Sequence, residues 1–198
     1  MKKIILILSV FFLFSCTSST ERVRYYSLTL DSKIQAPVKD TVKQKQLVLI
    51  DPIRLARFLR QPGLVLQRGN NELITANYHR WAEPLDELIS KLLLINLNNK
   101  SERFYFESSD GFIRESGAPR LKLYFDKFHA TDHATVVISG RYGLVEPEAK
   151  TLQLTEFSIE EIQTHDGYLD TVEKLKKTLD KLADEILLTL NNMNLDRL

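Results

Sequence analysis

The stretch LKLYFDKFHATDHATVVISGRY, residues 121–142, contains two alternating runs of apolar and polar residues separated by a short polar segment. In the first run Leu121, Leu123 and Phe125 alternate with more polar residues, and the second run begins at Thr135. Successive side chains of a strand point to opposite faces of a sheet, so such alternation marks a strand with one buried face. The stretch therefore predicts two long antiparallel strands that are joined near residues 130–134.

A third strand is predicted over residues 151–162, immediately C-terminal to this pair. Its first half places Leu152 and Leu154 on the inner face, whereas its second half places Phe157 and Ile159 there. One extra residue in a strand exchanges the inward and outward positions that follow it. We therefore expect a β-bulge near residues 155–156.

Two amphipathic helices are predicted from apolar residues that recur at intervals of three or four. The first follows Pro84 and has its apolar face at Leu85, Leu88, Ile89, Leu92 and Ile95. The second is C-terminal and has its apolar face at Val172, Leu175, Leu179, Leu182 and Ile186. This second face could pair with another chain as a coiled coil, but packing on the sheet of its own domain is the expected arrangement.

Shorter apolar or aromatic segments in the N-terminal half predict further strands. They lie at residues 22–30, 46–55, 64–67, 72–78 and 103–107. Gly69-Asn70-Asn71 separates two of them and predicts a tight hairpin turn, whereas residues 31–45 are polar and predict a loop. Together these elements predict an α+β two-layer domain, in which two main helices pack on a mostly antiparallel sheet.

The N-terminus has the pattern of a secretory signal peptide. Lys2 and Lys3 precede an apolar run, residues 4–14, that only Ser9 interrupts. The run is shorter than the roughly 20 apolar residues that a membrane-spanning helix needs. Cleavage is therefore expected, and an uncleaved N-terminal anchor helix is the alternative.

Cys16 is the only cysteine of the chain, and Leu13-Phe14-Ser15 precedes it. These four residues resemble the lipobox of bacterial lipoproteins. The resemblance implies cleavage before Cys16, a diacylglycerol thioether on its sulfur and an acyl chain, such as palmitate, on its new amino group. The expected organisation is a signal peptide at 1–15, a lipidated N-terminus and short tether at 16–24, and a single domain at 25–198. A chance cysteine in an ordinary signal peptide is the alternative.

The charge balance argues against a nucleic-acid-binding protein. The chain has 27 basic and 26 acidic residues, and two of the basic ones belong to the predicted signal peptide. Such a balance provides no net field that would attract a polyanion, and no run of basic residues provides a local one. We therefore expect no nucleic-acid partner.

Known catalytic and cofactor-binding motifs are absent from the sequence, including GxSxG, HExxH and a glycine-rich phosphate loop. His129 and His133, with Asp132 between them, are a weak candidate for a metal site, and a solvated turn is the expected alternative. A second weak candidate is a carboxylate cluster formed by Glu83, Asp86 and Glu87, which a helix N-terminus would stabilise without any catalytic role. We therefore expect no enzyme activity, no cofactor and no metal.

The segment Tyr78-His79-Arg80-Trp81-Ala82-Glu83-Pro84-Leu85 resembles the signature of the ABC-type transport auxiliary lipoprotein family, which includes the PqiC-like lipoproteins. The longer stretch LVLIDPIRLARFLRQPGLVLQRGNNELITANYHRWAEPL, residues 47–85, is similar to the central block of that family. From the residues themselves, Trp81 is expected to pack in the core between a strand and a helix, with partner binding as the alternative. Arg80 would brace a carboxylate or a carbonyl, and Pro84 would begin the helix.

The resemblance implies a non-enzymatic subunit of a transport system of the mammalian-cell-entry (MCE) type, which moves lipids between the inner and outer membranes. It implies that the lipoprotein, anchored by acyl chains on Cys16, docks an MCE-domain protein at the periplasmic face of the outer membrane. Thr17 and Ser18 follow Cys16 where inner-membrane lipoproteins carry Asp, which is consistent with that location. A homo-oligomer is compatible with such a role, and a scaffold of another envelope complex is the alternative function.

Overall fold

The structure is a computed structural model that describes residues 21–29, 45–110, 117–145 and 153–193. Within these segments the chain forms nine strands and two α-helices, with a short 3-10 helix at Arg57–Arg60. In chain order the elements are β1 (Arg24–Tyr26), β2 (Gln46–Ile50), β3 (Arg54–Leu55), β4 (Gly63–Arg68), β5 (Glu72–Trp81), α1 (Leu85–Lys100), β6 (Phe104–Ser108), β7 (Arg120–Thr131), β8 (Thr135–Val145), β9 (Gln153–Ile162) and α2 (Tyr168–Asn192).

The two strands predicted from residues 121–142 form the centre of the sheet. β7 pairs antiparallel with β8, and β8 pairs antiparallel with β9. Gly140 on β8 lies so close to β7 that an added Cβ would collide with the carbonyl oxygen of Tyr124. Only glycine allows this approach, so Gly140 helps to fix how the two longest strands pair.

The bulge predicted near residues 155–156 is wrong. β9 pairs with β8 without a register shift, from Ile162 opposite Thr135 to Gln153 opposite Leu144. Leu154, which was expected to face inward, is 52% exposed on the outer face. The register shift lies instead in β7, between Phe125 and Lys127. An apolar residue on the solvent face therefore produced a false change of phase in the sequence pattern.

Three strands follow one another along the other side of β7. β2, β3 and β4 pair with it in parallel, where Ile50, Leu55 and Leu66 lie opposite Leu121, Phe125 and Ala130 respectively. β6 extends the sheet beyond β2, and β5 and β1 extend it beyond β4. The sheet is thus mixed, although the antiparallel ladders hold most of the residue pairs.

Both helices pack on one face of the sheet, which confirms the α+β two-layer architecture. Every apolar residue predicted for the second helix is buried in α2: Val172, Leu175, Leu179, Leu182 and Ile186. The seam is therefore part of the core of this domain and not an exposed coiled-coil surface. In α1, Leu93 and Leu97 are buried in addition to four of the five predicted residues, and Ile95 is half-buried.

Ion pairs link the two helices to each other and to the sheet. Lys100 of α1 contacts Asp180 and Asp184 of α2, at 2.8 Å in each case. Glu161, on the inner face of β9, is almost completely buried and pairs with Lys177 and Lys181 of α2. These contacts fix α2 over the long strands.

The predicted signal peptide (1–15), Cys16 and nearly all of the predicted loop at 31–45 lie outside the described residues. In the part that is described, none of the helices has both the length and the apolar character that crossing a bilayer requires.

Candidate functional site at the N-terminal edge of the sheet

The segment Tyr78–Leu85 joins the end of β5 to the start of α1, and β1 docks directly on it. The two strands run parallel, with Tyr26 opposite Trp81 and Tyr25 opposite Arg80. Beyond the ladder, the backbone amide of Ala82 donates a hydrogen bond to the carbonyl oxygen of Tyr26 at 2.8 Å. Among the described residues, β1 therefore pairs only with the segment that the sequence singled out.

An aromatic stack fixes the inner side of this edge. The Tyr26 hydroxyl is hydrogen-bonded to Nδ1 of His79 at 2.7 Å. The His79 ring lies on the ring of Tyr168, the first residue of α2, with 3.7 Å between ring centroids and 17° between planes. Tyr26, His79 and Tyr168 thus connect β1, β5 and α2. No sequence pattern indicates this stack, because its members are far apart in the chain and share no periodicity.

Trp81 lies in the hydrophobic core and is only 5% exposed. Its indole contacts the ring of Phe128 on β7, with 6.1 Å between ring centroids. Its backbone amide donates to the carbonyl oxygen of Pro62 at 2.8 Å, just before β4. Trp81 therefore connects β5 with β7 and with the segment that leads into β4. It also lies directly beneath the place where β1 docks on β5, since Tyr26 is its register partner.

Pro84 directly precedes the first residue of α1, so it lies one position earlier than the first turn. Its carbonyl oxygen accepts the first hydrogen bond of the helix, from the amide of Leu88 at 3.1 Å. A proline at this position removes no helical hydrogen bond, because its missing amide hydrogen would have no partner within the helix. The residue therefore sets the direction in which the chain leaves β5.

Arg80 lies on the opposite side of β5 from the stack. Its Nε donates a hydrogen bond to the backbone carbonyl oxygen of Asn77 at 2.9 Å. Tyr25 is next to it across the ladder and is 66% exposed, and Tyr78 is two residues before it and 43% exposed. Together with the exposed Val23, these side chains form a surface that we call the Tyr25 patch (Val23, Tyr25, Tyr78 and Arg80).

The carboxylates that the sequence placed near this helix start have structural contacts. Glu83 forms an ion pair with Lys91 in the second turn of α1. Asp86 and Glu87 lie in the first turn of α1, where the helix dipole favours negative charge. Their positions account for the acidic cluster without a catalytic role.

His129 and His133 occupy different environments. His129 is buried beside the Phe58 ring, and its Nδ1–H donates to the carbonyl oxygen of Ala130 at 3.0 Å. Burial lowers the pKa of His129, and the charge of Lys127 lowers it further. His133 is exposed in the turn between β7 and β8, 3.7 Å from Asp132. Among the described residues, no group of three His, Cys, Asp or Glu side chains could hold a metal ion.

An open cleft of about 290 Å³ lies between β4, the end of β7 and the start of α2. Its apolar walls include Leu64, Leu66 and Ala130, and Tyr168 forms one side. Asp132 at its rim already accepts a hydrogen bond from the amide of Gly69 at 2.7 Å. The cleft is slightly smaller than the roughly 300–1,000 Å³ typical of small-molecule sites.

Comparison with known proteins gives both sequence and structural relatives. The family model described as ABC-type transport auxiliary lipoprotein component matches residues 26–187, which include the whole Tyr78–Leu85 segment. The curated Intermembrane transport lipoprotein PqiC of Escherichia coli (strain K12) is 25% identical over 176 residues, which are 88% of this chain and 90% of that protein. The protein of the same name from Shigella flexneri has the same identity and coverage.

Two solved structures share the fold. One is the crystal structure of an uncharacterized protein, with a TM-score of 0.72, 24% identity, and coverage of 86% of this chain and 99% of that chain. The other is a protein from Xanthomonas campestris, with a TM-score of 0.66, 12% identity, and coverage of 83% and 93% respectively. These similarities support the α+β architecture independently of the sequence pattern.

Proposed function

Since this chain belongs to the ABC-type transport auxiliary lipoprotein family, we propose that it is the membrane-anchored accessory subunit of an intermembrane transport system. Acyl chains on Cys16 hold it on the periplasmic face of the outer membrane. There it docks a periplasm-spanning MCE-domain protein, and the assembled system moves lipids between the inner and outer membranes. The E. coli relative, an intermembrane transport lipoprotein by name, supports the transport role.

The observation that carries this proposal is the docking of β1 on the Tyr78–Leu85 segment. Only residues 17–23 separate Cys16 from β1, so the anchor and the sheet are at most about 28 Å apart along an extended chain. A load on the anchor would be transmitted through the parallel ladder and the Tyr26–His79 hydrogen bond into β5 and α2. This arrangement suits a subunit that holds a larger assembly at a membrane.

Binding, and not catalysis, is the role that the described side chains support. The residues considered for chemistry are engaged elsewhere: Glu83 with Lys91, and His129 with a backbone carbonyl in the core. We also propose that copies of the chain associate with one another in the assembly. In the described segments β9 pairs only with β8, so its other edge has no strand partner there.

The proposal is tested by recovering native complexes from envelope membranes through a C-terminal tag, followed by mass spectrometry. We expect an MCE-domain protein among the specific partners, and more than one copy of the chain in the complex. Recovery of a different envelope assembly alone would favour the scaffold function and contradict the transport role.

The anchor is tested by the Cys16→Ala variant, with Ser18→Ala as the matched control. The Cys16→Ala precursor should remain unprocessed by the lipoprotein peptidase and carry no acyl chain. The Ser18→Ala chain should be processed and acylated normally. Normal maturation of Cys16→Ala to a free periplasmic form would contradict the assignment of Cys16.

A further inference from the structure

We propose that the Tyr25 patch rests on the phospholipid surface of the membrane that anchors the chain. This inference depends on the proposed acylation of Cys16 and adds a second contact with the bilayer. The acyl chains would hold the protein at the membrane, and the Tyr25 patch would orient the domain on it.

The geometry separates the two faces of β1. Tyr26 points inward, where it is buried and bonded to His79, so neighbouring Tyr25 must point outward. Tyr25 and Arg80 are register partners in a parallel ladder, which places their side chains side by side on that outer face. Tyr78, two residues before Arg80 on β5, is exposed as well. The inner stack therefore holds the outer residues in a fixed arrangement.

The chemistry of the patch matches the headgroup region of a bilayer. Tyrosine combines an apolar ring with a polar hydroxyl and is enriched where hydrocarbon meets water. Arginine is attracted to phosphate groups, and Arg80 lies beside Tyr25 on the same outer face. Aromatic and basic side chains thus converge at one edge of the sheet.

The length of the tether favours lipid over protein as the occupant. Tyr25 is nine residues after Cys16, so even a fully extended chain keeps it within roughly 30 Å of the anchor. The patch consists of only four side chains, whereas a standard protein interface needs about 800 Å² from each partner. A small aromatic and basic surface held close to a bilayer fits an auxiliary membrane contact, since stable attachment commonly combines acyl chains with a second signal.

The experiment uses the full-length acylated protein in vesicles of phosphatidylethanolamine and phosphatidylglycerol at a 3:1 ratio. Because Cys16 is modified, a Val23→Cys substitution provides one free thiol for an environment-sensitive fluorophore inside the patch. A Leu188→Cys substitution provides the matched control, since Leu188 is 66% exposed near the far end of α2. It lies about 30 Å from Tyr168 along the helix axis.

We expect the emission of the fluorophore at position 23 to be brighter and blue-shifted in vesicles relative to the same labelled chain without Cys16 and its acyl chains in vesicle-free buffer, while the emission of the fluorophore at position 188 is the same in both. Adding Tyr25→Ser and Tyr78→Ser should abolish the change at position 23 without releasing the protein from floated vesicles. An unchanged signal at position 23, or equal changes at both positions, would overturn the inference.

Two controls separate this inference from the proposed function. Failure of the acylated protein to float with vesicles would contradict the anchor itself, and with it the inference. Flotation without a change at position 23 would contradict only the membrane contact. A change that requires the MCE-domain protein and occurs without vesicles would identify the patch as a protein-docking surface and overturn the lipid assignment.

Discussion

The ring of His79 stacks on the ring of Tyr168 with 3.7 Å between centroids, and it does so while its Nδ1 is hydrogen-bonded to the Tyr26 hydroxyl. One imidazole therefore joins the first strand, the signature strand and the C-terminal helix. β1 has only three register pairs, so it depends on this side-chain contact more than the long strands do.

The first prediction concerns His79→Ala. Loss of the stack and of the hydrogen bond should lower the free energy of unfolding by about 1–2 kcal/mol, as measured by urea denaturation. The effect should be concentrated in β1, so trypsin should cleave after Arg24 faster than in the parent protein. His133→Ala, which removes an exposed histidine, should leave both measurements unchanged. Equal cleavage rates in the two variants would contradict the role of His79.

The sequence predicted the strands and helices of this fold better than it predicted which strands pair with one another. Alternation and helical periodicity are local signals, and they correctly indicated the long strands and the buried face of α2. The parallel ladders of β2, β3 and β4 with β7 bring together distant segments, and no local pattern encodes such a pairing. The bulge was misplaced because the pattern cannot distinguish an exposed leucine from a buried one.

The same limit applies to the candidate site. The Tyr78–Leu85 segment was identified by its resemblance to a family, whereas its contacts with Tyr26 and Tyr168 required the structure. An aromatic residue at a strand or a helix start is common in cores, so neither tyrosine was distinctive by itself. Only the three-dimensional arrangement shows that they meet at one histidine.

The second prediction concerns Glu161, whose pKa is lowered by hydrogen bonds from Lys181 and Lys177. A folded-state pKa below the unfolded value means that this carboxylate stabilises the fold above the unfolded pKa of about 4.3, and that the contribution is lost as the pH falls through the folded value. Because both lysine partners are about half exposed to solvent, Glu161→Gln should therefore destabilise the protein by about 1 kcal/mol at pH 7. The difference from the parent protein should shrink below about pH 4.

Unfolding curves in urea at several pH values measure this effect. Glu160→Gln is the matched control, because Glu160 is the exposed neighbour on the same strand. A constant difference between Glu161→Gln and the parent protein across the acidic range would show that the ion pairs do not produce the pH dependence.

The third prediction concerns His129, whose pKa is lowered mainly by burial. Protonation is then easier in the unfolded chain, so the contribution of neutral His129 is present above the unfolded pKa of about 6.5 and is lost as the pH falls below it. His129→Phe, which cannot be protonated, should weaken the dependence of the unfolding free energy on pH between about 7 and 5. His133→Phe should retain the dependence of the parent protein, and an identical pH profile for both variants would contradict this assignment.

The last prediction distinguishes the two roles considered for Trp81. The side chain is buried against Phe128, so Trp81→Ala should cost about 3–5 kcal/mol of stability, whereas Trp81→Phe keeps a ring and should cost less. If Trp81 acts through the core, recovery of the proposed MCE-domain partner should follow the folded fraction of each variant, which circular dichroism measures because no other tryptophan remains for fluorescence. Leu169→Ala, which removes an exposed apolar side chain, should change neither quantity. A fully folded Trp81→Phe protein that no longer binds its partner would instead assign the indole to partner recognition.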